Sequence, residues 1–106
     1  MVTIDEFRKI ELKIARILEV NIHPNADKLY VLKVDLGTEK RQLVAGIRLS
    51  YESQDLVGKE VVVVTNLEPA VIRGVESAGM LLATHDEKGI SVLSPDREAA
   101  LGSPIR

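Results

Sequence analysis

Residues 12–37 read LKIARILEVNIHPNADKLYVLKVDLG, and this stretch decides the fold class. Apolar residues recur at every second position on both sides of a central HPNAD segment, as in two half-buried strands. Proline fixes one backbone dihedral angle in that segment, and Asn25 and Asp27 can hydrogen-bond their own backbone, so we expect a turn there. The stretch therefore predicts two consecutive strands joined by a turn.

The first of these strands carries a charge on its apolar side. One face holds Leu12, Ile14, Leu18, Val20 and Ile22, and the other holds Lys13, Ala15, Ile17, Glu19 and Asn21. Arg16 interrupts the first, more apolar face. A long first strand with a β-bulge near Arg16 is one way to re-aim this side chain.

The remaining chain adds short strands and little helix. The second strand alternates at Tyr30, Leu32, Val34 and Leu36, and further strands are predicted over 41–47, 59–66, 80–84 and 90–93. A capping box, Thr3 with Glu6, predicts a short N-terminal helix whose apolar face is Ile4, Phe7 and Ile10. Because no strand–helix–strand rhythm exists, the fold class is all-β, a small and mainly antiparallel barrel or sandwich.

The amino-acid composition limits which classes of protein the chain can belong to. Of the 106 residues, 45% are apolar and 28% charged, which suits one globular domain over residues 1–106. Without cysteine there are no disulfides or thiolate metal sites. The N-terminus lacks the apolar core of a signal peptide, and no apolar run reaches the roughly 20 residues of a membrane helix. We expect a cytoplasmic protein with no membrane partner.

The charge balance argues against a protein that wraps bare duplex. The formal net charge is −2, with a balance of +2 over residues 1–50 and −4 over residues 51–106. Proteins that bind nucleic acid through many phosphates are usually far more basic. Any nucleic-acid role must therefore rest on a local basic patch.

Candidate catalytic groups are few. His23 and His85 lie in turn-like contexts, so we expect two solvated turn residues, and neither belongs to a metal-ligand motif. The sequence around Ser77, E-S-A-G, lacks the first glycine of the nucleophile-elbow motif. We expect a protein that is not an enzyme and uses no cofactor or metal.

Residues 65–83, TNLEPAVIRGVESAGMLLA, are longer and more apolar than an ordinary loop, whose median length is roughly 4–6 residues. Arg73 stands beside Gly74, which lets a partner's backbone come close. We expect Val71, Ile72 and Val75 to anchor this loop and Arg73 to face a ligand.

The aromatic and basic residues determine which contacts the chain could make with a nucleic acid. Stacking platforms for single strands need aromatic side chains, and the chain holds Phe7, Tyr30 and Tyr51 alone, the first two expected in the core. The basic residues that could reach a groove are Arg16, Lys28, Lys33, Arg41, Arg48 and Arg73. For Lys33 and Arg41 we expect ordinary solvated charges.

Three motifs in order, HPNADKLYVLKVDLG, QLVAGI and NLEPAVIRGVESAGMLLA, resemble the tRNA-binding domain family. Its members include the C-terminal part of many methionyl-tRNA synthetases, a free-standing bacterial tRNA-binding protein and synthetase-associated cytokine-like factors. The resemblance covers nearly the whole chain, from Thr3 through LSPD. It implies a five-stranded oligonucleotide/oligosaccharide-binding (OB) barrel with extra terminal elements, usually a homodimer, that binds tRNA with little sequence preference.

The resemblance also implies a site. Lys28, Asn66, Ser77 and Met80 match the family's characteristic positions, and Arg16, Arg48 and Arg73 are added from charge and loop position. In OB barrels the ligand lies across strands 2 and 3 and touches the loops after strands 1 and 4. We therefore expect HPNADK and NLEPAVIRGVESAG to line one groove that recognises folded tRNA by backbone and shape.

Two alternatives stay open. A chaperone-like secretion protein shares this barrel and dimer but binds peptides, and that group lacks the full HPNADKL signature. A module for synthetase assembly would bind methionyl-tRNA synthetase without affinity for tRNA.

Overall fold

A computed structural model describes residues 1–106 as a small β-barrel with two single-turn helices. The elements are α1 (Ile4–Phe7), β1 (Leu12–Ile22), β2 (Tyr30–Asp35), β3 (Lys40–Ala45), α2 (Ser53–Leu56), β4 (Glu60–Val64), β5 (Ala70–Ile72), β6 (Val75–Ser77), β7 (Met80–Leu81), β8 (Ala83–Asp86) and β9 (Gly89–Val92). The predicted all-β class and the short N-terminal helix are both confirmed.

Five strands form one antiparallel sheet in the order β3-β2-β1-β4-β7, and β5–β6 and β8–β9 are separate hairpins. The free edge of β3 meets the chain just after β6: the Ala78 N–H donates to the Gln42 carbonyl at 2.8 Å, and the Val44 N–H donates to Ser77 Oγ at 2.9 Å. These bonds nearly close the sheet into the five-stranded OB barrel that the resemblance implied.

The first strand changes its inward face part-way along. Its register with β2 shifts between Ile17 and Glu19. Before the shift, Ala15 and Ile17 are fully buried in the barrel core, and after it Val20 packs there. The extra residue reverses the alternation, so the bulge predicted near Arg16 is confirmed. In the first half of the strand the more apolar face points away from the barrel core, although Ile14 on that face is still buried.

The barrel core is aliphatic and follows the second strand as predicted. Tyr30, Leu32, Val34 and Leu36 are all buried, and they pack with Leu43, Leu56, Val61 and Val63. Burying branched side chains from facing strands is the main source of stability for a barrel of this size.

The C-terminal extension crosses the edge of β1 that β2 leaves free. In this C-terminal strap (residues 101–105), Gly102 N–H donates to the Ile14 carbonyl at 2.7 Å and Ile105 N–H donates to the Leu12 carbonyl at 2.9 Å. A Cβ at Gly102, where φ is +83°, would lie 2.5 Å from the Leu36 carbonyl oxygen. Glycine is therefore required at this position of the strap.

The N-terminal helix is formed but not buried. Its capping box is complete, with Glu6 N–H donating to Thr3 Oγ1 and Thr3 N–H donating to the Glu6 carboxylate, each at 3.1 Å. Ile4, Phe7 and Ile10 are 60%, 37% and 49% exposed, so the expectation of a core role for Phe7 is wrong. The helix is four residues long, and Phe7 at its end lines a groove together with Leu12 and Val64. None of the helices has the length and apolarity needed to cross a bilayer.

Candidate nucleic-acid interface

The loop between β1 and β2 (residues 23–29) is bonded directly to the β5–β6 hairpin. His23 Nε2 lies 3.0 Å from the Ile72 carbonyl, and Asn25 Nδ2 donates to the Arg73 carbonyl at 3.1 Å. Arg73 Nη2 donates in return to the Asn25 carbonyl at 3.3 Å. Two segments far apart in sequence thus form one surface, as expected from the position of the ligand in OB barrels.

His23 differs from its expected state. It is 2% exposed rather than solvated, because the hairpin covers it. His85, by contrast, is exposed on β8 as expected.

The long connection contains a regular hairpin that the sequence did not reveal. β5 and β6 pair from Ala70↔Ser77 to Ile72↔Val75, with Arg73 and Gly74 as the two turn residues. Both have positive φ, 52° and 88°, which is the type I′ geometry favoured in tight hairpins. Arg73 is therefore presented at the exposed tip. Val71, predicted as an anchor, is 72% exposed, because alternation turns it away from the barrel.

Lys28 lies between two shallow concavities. It lines one together with Arg73, and the other together with His85, Lys88 and Leu49. The Arg48 N–H donates to the Lys28 carbonyl at 3.3 Å, which brings the β3–α2 segment to the same place. Acidic neighbours, Asp27 in the first concavity and Glu87 in the second, dilute the positive charge.

Lys88 was missed by the sequence reading. It lies in the connection between β8 and β9, between the strands predicted over 80–84 and 90–93, but nothing local places that connection beside Lys28. A basic residue in a short connection was the available signal.

Arg16 lies away from the basic cluster, by which we mean Lys28, Arg48, Arg73 and Lys88. Arg16 pairs with Asp35 in the β1–β2 ladder, at the opposite end from the Ile22↔Tyr30 pair beside the loop. Its guanidinium lies 3.4 Å from the Glu60 carboxylate. Arg48, which is half-buried, lines a neighbouring hollow with Ile22 and Glu52.

Ser77 and Asn66 have structural bonds. Ser77 is 3% exposed; its hydroxyl accepts from Val44 N–H at 2.9 Å and donates to the Gly79 carbonyl at 3.0 Å. It lacks a free surface for a ligand in this conformation, which corrects the expectation that it faces one. The Asn66 side chain accepts from Glu11 N–H at 2.8 Å and donates to the Lys9 carbonyl at 2.7 Å. It fastens the segment after α1 to the end of β4.

Met80 lies in an apolar groove away from the basic cluster. The apolar groove is lined by Phe7, Ile10, Leu12, Val64, Leu67, Met80 and Leu82, with Lys9 and Asn66 at its rim. Met80 is 46% exposed there. Of the predicted site residues, the structure therefore groups Lys28, Arg48 and Arg73, and it places the other four elsewhere.

Both tyrosines have their hydroxyl groups hydrogen-bonded within the protein. Tyr30 is buried and its hydroxyl donates to the Tyr51 carbonyl at 2.7 Å. The Tyr51 hydroxyl accepts from Val92 N–H at 3.0 Å. Both side chains brace the β8–β9 hairpin and the β3–α2 segment against the barrel.

One carboxylate has a shifted pKa. A hydrogen bond from Thr65 Oγ1, at 2.6 Å, lowers the pKa of Glu11, and Lys13 Nζ at 3.4 Å lowers it further. Arg41 adds to this effect, and it also donates to the Thr65 and Ala78 carbonyls. Arg41, expected as a solvated charge, thus holds the closing seam of the barrel.

Comparison with known proteins adds to this geometry. Residues 12–104 match the family model described as "Putative tRNA binding domain". The chain belongs to this tRNA-binding domain family. The methionine–tRNA ligases of Thermococcus kodakarensis and Pyrococcus furiosus are 55% and 54% identical over 105 residues, 99% of this chain. The chain spans 14% of the length of each of these relatives.

Solved structures with the same fold carry two kinds of name. A MetRS-related protein of Pyrococcus horikoshii superposes with a TM-score of 0.92 at 32% identity, covering 100% of this chain and 98% of that chain. A CsaA chaperone protein of Picrophilus torridus superposes with a TM-score of 0.93 at 28% identity, covering all of both chains. The fold alone therefore does not separate RNA binding from chaperone activity.

Proposed function

We propose that residues 1–106 form one non-catalytic tRNA-binding domain, homologous to the C-terminal region of methionyl-tRNA synthetase and acting in the cytoplasm. The observation that carries the proposal is the surface on which Lys28 and Arg73, from segments bonded to each other, meet in a domain of the tRNA-binding family. Phosphate oxygens are natural acceptors for such side chains.

The recognition is of backbone and shape. Tyr30 is buried and Phe7 lines the apolar groove, so half-buried Tyr51 is the one aromatic ring near the basic residues, too few for a row of stacked bases. Phosphate and 2′-hydroxyl contacts across a folded RNA need no stacking platform. This supports binding to many tRNAs with little sequence preference.

We further propose a homodimer formed through the apolar groove. Four large apolar side chains that line it, Phe7, Ile10, Leu67 and Met80, are between 37% and 49% exposed. A second copy of the chain would cover these side chains, and a patch of this kind marks an interaction surface. Two copies on one rigid tRNA would raise affinity through effective concentration.

A gel shift with total tRNA at two salt concentrations tests the function. Affinity should fall steeply with salt, and folded tRNA should bind better than a linear single strand. Salt-insensitive binding, or equal binding of linear strands, would refute this mechanism. Sedimentation at micromolar concentration tests the dimer, and a monomer there would reject it.

The synthetase partner follows from the relatives. In a methionine–tRNA ligase the domain would raise tRNA affinity without touching the chemistry, in cis or as a separate subunit. Binding to the synthetase without tRNA affinity would favour an assembly module instead.

A chaperone-like function is the second candidate, supported by the likeness to the CsaA chaperone structures. Competition between tRNA and an unfolded polypeptide for the protein distinguishes the two. Capture of the polypeptide but not tRNA would favour the chaperone.

A further inference from the structure

His23 has both ring nitrogens engaged beneath the proposed tRNA surface. Asn25 N–H donates to Nδ1 at 3.0 Å, and Nε2 faces the Ile72 carbonyl at 3.0 Å. A backbone amide can only donate and a carbonyl can only accept, so the ring is the neutral tautomer with its hydrogen on Nε2. In this state one buried side chain satisfies a polar group in each of the two segments.

Together with the two Asn25–Arg73 bonds, these contacts form what we call the histidine latch (His23 and Asn25 with Ile72 and Arg73). The hairpin is attached to the barrel elsewhere near its base, where Gln42 Nε2 donates to the Glu76 carbonyl at 2.9 Å and Val44 N–H donates to Ser77 Oγ. β5 pairs with β6 alone. The latch therefore holds the tip of the hairpin to the loop that carries Lys28.

We propose that His23 is a positioning residue for tRNA binding. It fixes the Arg73 guanidinium relative to the Lys28 ammonium before RNA arrives, so less ordering cost falls on the binding step. Arg73 also has a backbone conformation that non-glycine residues seldom adopt, which a latched tip can sustain. This inference rests on the proposed tRNA function.

A double-mutant cycle separates positioning from general stability. His23→Asn keeps an acceptor for Asn25 N–H but cannot reach Ile72; His23→Gln keeps a donor at the Nε2 position. We expect His23→Asn to weaken tRNA binding roughly fivefold, with His23→Gln restoring part of the loss. In an Arg73→Gln background, His23→Asn should change affinity by less than about twofold, because the guanidinium it positions is gone.

Asn25→Ala, at an exposed position, removes the Asn25 Nδ2–Arg73 carbonyl bond of the latch and leaves the buried ring and the backbone bonds of Asn25 in place. It should show a smaller loss of affinity than His23→Asn and the same dependence on Arg73. Lys40→Gln, at the far end of the β2–β3 ladder, is the matched control and should bind as the wild type does. Nitrogen-15 chemical shifts of the His23 ring should report the Nε2–H tautomer.

Three results would overturn the latch: an Nδ1–H tautomer, wild-type affinity in both Asn25→Ala and His23→Asn, or equal losses with and without the Arg73 guanidinium. These three results bear on the latch when the wild-type protein itself binds tRNA. A wild type that does not bind tRNA would instead refute the proposed function, and the latch with it.

Discussion

The hydroxyl of Ser77 takes the place of a backbone carbonyl at the seam where β3 meets the chain after β6. It completes the ladder for Val44 N–H, a donor that would otherwise lie buried without a partner. A polar side chain in a long connection can thus serve the barrel rather than a ligand.

Ser77→Ala should lower the free energy of unfolding by about 1–3 kcal/mol, because it leaves the Val44 N–H buried and unsatisfied. Urea unfolding measures this. The folded fraction should bind tRNA as the wild type does; a selective loss of affinity at unchanged stability would restore Ser77 as a contact residue.

Lys88→Gln should weaken tRNA binding by roughly threefold and reduce the salt slope by about 1, as for one lost phosphate contact. The reason is that Lys88 lines the same concavity as Lys28. Titrations at several salt concentrations check this against Lys40→Gln, whose side chain lies at the other end of the ladder. An unchanged slope would confine the RNA surface to the loop and the β5–β6 hairpin.

Among the elements, the β5–β6 hairpin is where stability and binding conflict. A type I′ turn favours Asn or Gly, and here the first turn residue is Arg73 with φ 52°. Left-handed backbone costs a residue such as arginine about 1 kcal/mol. The strained choice is understandable if the guanidinium is needed at the tip.

Arg73→Asn should therefore raise the free energy of unfolding, by up to about 1 kcal/mol, and lower tRNA affinity at the same time. Urea unfolding and tRNA titration on one preparation test both effects. Arg73→Gln, which keeps the strain, serves as the control for the turn. Gain of stability without loss of affinity would show that the tip arginine does not contact RNA.

The segment after α1 is fastened by groups that titrate. Because the Glu11 pKa is lowered in the folded protein, its contribution to stability is complete above the ordinary value of 4.5 and is lost as pH falls through the lowered pKa. Glu11→Gln should accordingly be less stable than the wild type at pH 7, and the difference should shrink as the pH falls below 4.5. Thermal unfolding of both proteins across this range gives the answer; a constant difference would contradict it.

The elements also show what sequence could supply. Strict alternation predicted β2 and its core face, because side-chain period alone decides burial there. The same reasoning failed for β1, because one bulge residue reverses which side of the strand faces inward. Apolar residues occur on both faces of β1, so the sequence pattern does not show where this reversal takes place. The β5–β6 hairpin was missed because Arg-Gly is not a typical turn pair. Clustering of Lys28 with Arg73 was foreseen from loop order in the fold, whereas the burial of His23 and Ser77 depends on tertiary contacts that no local pattern records.

For the whole molecule, charge and apolar surface lie on separate regions. The basic cluster lies around the β1–β2 loop, and the apolar groove lies between the N-terminal segment and Met80. In a dimer formed through the groove, both basic clusters would stay accessible.

Phe7→Glu places a charge in that groove and should produce a monomer in sedimentation. Its tRNA affinity should fall by roughly tenfold or more through lost avidity, while its salt slope should fall to about half. Lys9→Gln, at the groove rim, controls for charge alone. A monomer that keeps full affinity would show that one copy is sufficient for tRNA.

The C-terminal strap has a consequence for how the protein is made. It pairs with the beginning of β1, so the first strand of the barrel gains a neighbour from a segment that lies much later in the chain. Pairings of such long sequence separation are slow, because much chain entropy is lost before contacts compensate for it. During synthesis, β1 to β4 can assemble early while the edge at Ile14 stays open. Residues 101–105 must leave the ribosomal exit tunnel before that edge is protected from another nascent chain.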